Sequence, residues 1–408
     1  MKDLKDLFLI IVIIIGITSV FSSYYLLFFA SFVIVVLILI AKFWNHHIFT
    51  RINIKRDVSR KRAVIGEKLY YQFEIENKKL LPVLGIEVKD KFTDGIKFVN
   101  KKFSKEVPGS NFNVFRDLFS LKWYEKVKRT YDIIPQKRGY YRFGEGNIFY
   151  SGVFGLYKNQ LNDKNFSELI VYPKIIQADK LQVDLKHLFG SRPSEGWLYK
   201  DPLNSVGVRP YQSTDNMKKI NWKASARHNK MESNVYKPSY DKEIHIFLST
   251  LTTESWWQGI DRNLLELLII YAASLANYSF NKGYQVGLYS DGRTKRSSSF
   301  LTLKPAKGSV HKEKLLSNLA MLQVADKMKF PNILYKKKKE IKSGSTIIVI
   351  LAIINDKIEE ILNQYRKNYN LSLIIMGEEN SKLKKLKGVK VYQVEEEDWD
   401  EIKKMGLV

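Results

Sequence analysis

Two uncharged apolar runs open the chain: residues 7–20 (LFLIIVIIIGITSV) and, after FSSYY, residues 26–41 (LLFFASFVIVVLILIA). With its flanking aromatics each run reaches the roughly 17 to 20 residues that a helix needs to cross a bilayer. Ser22 and Ser23 supply a short turn between them, so the pattern predicts a transmembrane helical hairpin over residues 1–45. A cleavable signal peptide is the competing reading of the first run. No A-x-A site stands near Ser22, however, and the second run would still be hydrophobic enough to span. Lys42, Arg51, Lys55, Arg56, Arg60, Lys61 and Arg62 crowd the stretch after the second run, while the turn has no Lys or Arg. Such an asymmetry keeps the basic side in the cytoplasm, so both termini and the soluble domains are expected there.

From about residue 52 to 172 the pattern changes to period two. In LYYQFEIEN, Leu69, Tyr71, Phe73 and Ile75 share one face and Gln72, Glu74 and Glu76 the other, the signature of a half-buried strand. LGIEVKD repeats it with Leu84, Ile86 and Val88, and Gly66, Asn77, Pro82 and Gly85 mark turns. Short strands at this spacing predict a β-sandwich, immunoglobulin-like, over residues 46–175. QKRGYYRFGEGNIFYSGVFGLYKN reads as a glycine-punctuated hairpin around Gly139 and Gly155. No catalytic constellation stands out here, and the many aromatics read as core, so the domain is expected to be a spacer or interaction module. Beyond residue 241 the strand-like runs EIHIFLS, QVGLYS, TIIVILAII and LSLIIMG alternate with helical patterns such as LLELLIIYAASLANYSF, HKEKLLSNLAML and KIEEILNQYRKN. That alternation predicts a doubly wound α/β domain over residues 241–408, its parallel sheet covered on both faces.

Composition narrows the chemistry. A length of 408 residues exceeds what one hydrophobic core usually serves. The absence of cysteine excludes disulfides, thiolate nucleophiles and cysteine-ligated metals. The six histidines (His46, His47, His187, His228, His245 and His311) include no HExxH pair. GSRPSEG at residues 190–196 and KPAKGS lack the glycine and Lys-Ser/Thr spacing of a P-loop, and no G-x-S-x-G elbow occurs. The formal charge of +25 draws the chain toward anions. Its lysines and arginines are spread throughout, with one dense run at residues 336–339, which favours solubility and attraction to a phospholipid bilayer over a nucleic-acid stripe.

The least ordinary stretch is residues 206–227, VGVRPYQSTDNMKKINWKASAR, where Arg209, Tyr211, Asp215, Trp222, Lys223, Ser225 and Arg227 concentrate polar and aromatic groups. One reading is a rigid clasp, Asp215 pairing with Arg209 or Arg227 beneath Trp222. The other is a binding surface that grips an anionic group of a partner. The clasp is favoured, because Arg and Asp held together usually serve each other.

These residues resemble the signature of the bacterial family catalogued as domain of unknown function 58, approximately R-x-Y-x-x-G-D followed by I-x-W-x-x-S-A-R. It falls here on Arg209, Tyr211, Asp215, Ile220, Trp222, Ser225, Ala226 and Arg227. Thr214 replaces the usual glycine, so that turn must be built differently. Arg138 and Gly139 match the family's R-G-x-Y element, and Phe154, Gly155 and Leu156 the end of D-P-F-G-L, with Gly152 and Val153 in place of D-P; VYP at residues 171–173 agrees as well. The resemblance makes residues 176–240 a signature-bearing connecting segment and implies a von Willebrand factor A-like fold for the C-terminal domain. In such folds a D-x-S-x-S motif often binds Mg²⁺, but here its positions fall on Ser249, Leu251 and Thr253. Loss of the carboxylate and of one hydroxyl predicts a degenerate metal site, with no metal or other cofactor. Asp291 is the carboxylate nearest in pattern and reads as a turn residue.

The resemblance further implies a partner, a MoxR-type AAA+ ATPase active in protein-complex assembly or cell-envelope functions. The expected role is therefore a membrane-tethered, non-catalytic adaptor whose β-domain sets its distance from the bilayer. The alternatives are a hydrolase-type enzyme, with Asp215 as general base and Arg209 or Arg227 as anion clamp, and a basic surface for anionic lipid or nucleic acid.

Overall fold

The computed structural model of the chain describes residues 2–22, 24–100, 102, 104–106, 112–151, 158–162, 165–181, 183–188, 199–239, 242–253, 259–324, 330–377 and 389–394. The family-like positions 152–156 and the segment 190–196 lie outside the described residues. The chain forms two compact units, Met1–Val171 and Tyr172–Val408.

In the first unit α1 (Lys2–Phe21) and α2 (Tyr25–His47) pack against each other. A Cβ on Gly16 would stand 2.7 Å from Ser31 Oγ, so the absent side chain is what lets the helices approach. Ser19 donates to the Gly16 carbonyl and Ser31 to the Phe28 carbonyl, each at 2.8 Å, so these buried hydroxyls are satisfied within their own helices. The outward faces expose Ile10, Ile14, Phe29, Leu39 and Ile40. By length and composition α2 is able to cross a membrane, whereas the apolar part of α1, Leu7–Phe21, is shorter than a full span. The expectation of two equivalent spans is thereby reduced to one helix of spanning length with a shorter companion, because Lys2, Asp3, Lys5 and Asp6 occupy the first turns of α1.

The strands that follow are β1 (Ile52–Val58), β2 (Arg62–Val64), β3 (Leu69–Asn77), β4 (Val83–Thr93), β5 (Ile96–Phe98), β6 (Ser104–Glu106), β7 (Phe112–Leu121), β8 (Lys126–Pro135), β9 (Gly139–Phe143), β10 (Glu145–Ser151), β11 (Lys158–Asn162) and β12 (Ser167–Tyr172). They form sheets ordered β1-β3-β8-β5, β11-β10-β4-β7-β6 and β2-β12-β9. One core joins them, with Tyr71, Phe73 and Ile75 of β3 beside Ile86 and Val88 of β4 and Phe115 and Phe119 of β7. The period-two pattern of β3 is the observed burial pattern. Leu84 departs from expectation. The β4–β7 register shifts between Val83 and Ile86, with Gly85 at φ +73°, and this bulge turns Leu84 out to solvent while Ile86 and Val88 stay inside.

The second unit begins earlier than the sequence suggested. Ile176, Leu181, Val183 and Leu188 of the expected connecting segment enter the α/β core, the last in α3 (Leu185–Leu188). Ile176 N donates to Ser274 Oγ at 2.9 Å and Ser372 Oγ to the Leu188 carbonyl at 2.9 Å, fixing that stretch in place. The signature lies on a separate ribbon of β13 (Tyr199–Pro210) and β14 (Glu232–Ser239), with α4 (Trp222–His228) between them.

The remaining elements are β15 (Glu243–Leu248), α5 (Arg262–Asn281), β16 (Gln285–Thr294), β17 (Ser297–Ala306), α6 (Ser309–Met321), β18 (Leu322–Gln323), α7 (Phe330–Lys338), β19 (Thr346–Leu351), α8 (Asp356–Tyr365), β20 (Asn370–Met376) and β21 (Lys390–Val394). Their sheet runs β17-β16-β15-β19-β20-β21, with β18 pairing to β16. The pairs from β16 through β21 are parallel and β17 is an antiparallel edge. Alternate strand residues feed two cores. Ile246, Ile348 and Ile374 pack with α5 and α6, while Phe247, Val349 and Leu373 pack with α7 and α8. The sheet is thus covered on both faces.

Candidate functional site

The signature folds as a small self-bonded module. Arg209 Nη2 donates to Asp215 Oδ1 at 2.6 Å, and the Gln212 amide donates to Asp215 Oδ2 at 3.1 Å. Tyr211 Oη donates to the Asp215 carbonyl at 3.2 Å, and its amide to the Met231 carbonyl at 2.8 Å. The Gln212 amide, followed by the Arg209 guanidinium, holds the Asp215 carboxyl below the usual carboxylate range. The turn at Thr214 closes through the Asp215 amide and the Gln212 carbonyl, 2.8 Å, with negative φ throughout, so it needs no glycine.

Ser225 Oγ donates to the Asn221 carbonyl at 2.8 Å and accepts from the Glu232 amide at 2.9 Å, which ties α4 to β14. Asn221, which the sequence reading passed over, caps α4 by accepting from the Ala224 amide at 3.0 Å and donates to Asn234 Oδ1 at 2.8 Å. Its position just ahead of W-x-x-S is an ordinary N-cap signal. Of the two expected pairings Asp215 takes Arg209, and one part of the clasp changes: Trp222 stands 66% exposed at the start of α4 instead of lying over the pair. Among the described residues Lys223 and Arg227 meet no carboxylate and stand exposed. Met217 and Met231 are exposed to 69% and 50%, and Val208 and Val235 also face solvent. Val208 and Val235 lie on opposite faces of the ribbon, so the module's exposed apolar groups are Trp222, Met217 and Met231 individually, with Lys218, Lys223, Arg227 and Lys230 exposed as well.

A second place of interest lies where the sheet order reverses, between β15 and β19, the usual ligand-binding crevice of such sheets. The three metal-motif positions follow β15 there, and their oxygens are engaged locally. Ser249 Oγ accepts from the Leu251 amide at 3.3 Å, Leu251 has no side-chain oxygen to offer a metal, and Thr253 Oγ1 donates to the Gly259 carbonyl at 2.8 Å. Asp291 is no turn residue. It sits inside β16, buried, accepting from the Thr250 amide and Thr250 Oγ1 at 2.7 and 2.9 Å. Burial pushes its carboxyl up to about 6 despite those bonds. Among the described residues no three His, Cys, Asp or Glu groups converge. One buried carboxylate already committed to Thr250 does not fit a divalent cation, which needs several oxygens free to turn toward it.

By fold and site the chain is an apolar helical segment and a β-sandwich followed by a two-faced α/β domain that carries an exposed aromatic-basic module. Residues 207–405 match the model of the family described as Protein of unknown function DUF58. The uncharacterized protein YeaD of Bacillus subtilis (strain 168) is 21% identical over 247 residues, which are 59% of this chain and 56% of YeaD, so the chain spans little more than half of that relative. The CARDB domain of a Pyrococcus furiosus protein is similar over 30% of this chain and 96% of its own, at 15% identity and a TM-score of 0.19. A cohesin module from a Clostridium perfringens family 33 glycoside hydrolase is similar over 29% of this chain and 98% of its own, at 13% identity and a TM-score of 0.20.

Proposed function

We propose that the chain is a membrane-tethered, non-catalytic adaptor that docks a MoxR-type AAA+ ATPase through the signature module, in protein-complex assembly or a cell-envelope role. The observation that carries this reading is the exposure of Trp222, Met217 and Met231 on a module whose polar groups are bonded to one another. A rigid base under an exposed aromatic and a basic fringe is how docking surfaces concentrate binding energy. The low basicity of the Asp215 carboxyl supports the non-catalytic reading, since a general base needs a pKa near the working pH. The reversal of strand order between β15 and β19 supports a von Willebrand factor A-like domain, used here for contacts between proteins instead of for metal. The packing of α1 on α2, followed by Arg51, Lys55, Arg60 and Lys61, supports a two-pass anchor with the soluble units in the cytoplasm.

Crosslinked, tagged protein taken from its native membranes with mild detergent tests the reading. An AAA+ ATPase should be enriched with the native chain and lost with Trp222→Ala. Equal recovery with both proteins, or no ATPase at all, would sink it.

A further inference from the structure

The junction between helix and sandwich is built, not loose. Lys79 Nζ donates to three carbonyls at the end of α2, those of His47 at 2.5 Å, Ile48, and Thr50 at 2.9 Å. Lys78 N donates to the Arg51 carbonyl at 3.0 Å, and Asn159 Nδ2 to the Asn45 carbonyl at 2.9 Å. Ile48 is buried in the sandwich core, and Trp44 packs against it. The end of α2 is thereby fixed to one end of the sandwich.

Two loops of the sandwich lie at that end. Residues 78–82 join β3 to β4, and residues 122–125 join β7 to β8. They are stitched together by Asn77, whose amide donates to the Glu125 carbonyl at 2.9 Å and whose side chain donates to the Leu81 and Lys122 carbonyls at 2.9 and 2.8 Å. The Tyr124 amide donates to the Lys79 carbonyl at 3.2 Å, next to the clamp on α2. On these loops Leu80 is 73% exposed, Trp123 64% and Tyr124 63%, and Leu84, turned out by the bulge at Gly85, joins them. Tyr124 holds φ +52°, where glycine is the cheapest residue and a bulky aromatic carries strain. Arg51, Lys78, Lys122 and Lys126 lie on or beside these segments, against Glu74, which pairs with Lys126 at 2.7 Å, Glu76 and Glu125. At the opposite end, near Pro135, the described exposed apolar side chains are Val64, Val99 and Tyr70, without a tryptophan.

We propose that this end of the sandwich docks on the bilayer that α2 enters. Leu80, Leu84, Trp123 and Tyr124 lie in the headgroup and upper acyl region, and Arg51, Lys78 and Lys122 meet anionic phospholipid. The heights agree. At 1.5 Å per residue Ile48 stands about 9 Å beyond Lys42, the first charge after the apolar run. The headgroup layer is roughly 5–8 Å thick on each side of the hydrocarbon, so loops clamped to residues 47–50 are level with its outer edge, within side-chain reach of its depth. Tryptophan and tyrosine are the residues that settle in that layer, and lysine and arginine add attraction to anionic lipid. The proposal rests on α2 being a membrane anchor.

The chain has no cysteine, so Leu80→Cys and Val64→Cys each place one thiol for a fluorophore in the full-length protein. The proteins are reconstituted in phosphatidylcholine–phosphatidylglycerol vesicles, with and without bromine on the acyl chains, and floated on a density gradient. Brominated lipid should quench the label at 80 and leave the label at 64 unchanged. In phosphatidylcholine alone the quenching at 80 should weaken. Tyr124→Gly, which relieves the positive φ, should also reduce it, an effect opposite to that of a purely structural residue. If the protein fails to float, the anchor is wrong and the docking falls with it. If it floats and both labels respond alike, the docking is wrong and the anchor stands.

Discussion

Replacing Asp90 by alanine should destabilise the sandwich more than any ordinary surface change. Arg56 Nε and Nη2 donate to the two Asp90 oxygens at 2.8 and 3.0 Å, a bidentate pair whose side chains are 0% and 2% exposed. Tyr71 Oη donates to the same carboxylate at 2.9 Å, and burial together with that charge raises the phenol well above its ordinary value. The alanine variant leaves a desolvated guanidinium without its counter-charge and a buried hydroxyl without its acceptor. Breaking a buried pair in this way costs about 3–5 kcal/mol, or on the order of a thousandfold in the folded-to-unfolded ratio. Tyr71→Phe, which removes one bond to a charged acceptor and strands no charge, should cost about 1.5–3 kcal/mol. Arg56→Met with Asp90→Leu should recover most of the loss, since removing both charges strands neither. Hydrogen exchange of the full chain in detergent, followed by mass spectrometry on peptides of β3 and β4, reads these costs as lost protection. A loss below about tenfold for Asp90→Ala would refute the reasoning, because an uncompensated buried charge cannot be that cheap.

Other outcomes follow from the same structure. The folded pKa of Asp291, about 6, lies above its unfolded value, so the ionised form costs stability above pH 6 and the cost fades as pH falls. Relative to Asp291→Asn, the native α/β unit should gain about 2 kcal/mol between pH 7 and 4.5, read by denaturant midpoints of both proteins; a gain in the opposite direction would contradict the burial argument. Lys79→Met leaves three carbonyls at the end of α2 without their ammonium, and amide exchange of residues 45–50 should quicken by a factor matching about 1–3 kcal/mol. Arg209→Met should change global stability by under about 1 kcal/mol, since its partner pair is partly exposed, while carboxyl NMR shows the Asp215 pKa rising toward its ordinary value.

The periodicity of LYYQFEIEN and the strand-helix alternation after residue 241 were sufficient to place β3 and the faces of the α/β sheet, because in both cases one side chain parity meets a core. Three features escaped pattern reading for identifiable reasons. The bulge at Gly85 breaks parity without changing composition, so Leu84 looked like core. Arg56 lies between Ile54 and Val58, and Asp90 between Val88 and Phe92, each on the inward parity of its strand; opposite charges on inward positions of two strands were the signal available. Residues 176–188 looked like a linker because their apolar positions follow no single period, yet they cover the α/β core. In the signature, the Arg209–Asp215 pair was legible from residue types alone. The exposure of Trp222 was not, because whether an indole covers a neighbouring ion pair depends on the direction of α4, which Asn221 and Ser225 set through the backbone of β14.

The adaptor reading meets its most direct test in a photo-crosslinking amino acid substituted for Trp222 in the native cell, with residue 310 as a control, since Val310 is also exposed and lies far along the chain in α6. Irradiation should join position 222 to an AAA+ ATPase subunit and leave position 310 without that adduct. Adducts to the ATPase from neither position, or equally from both, would contradict docking through the signature module.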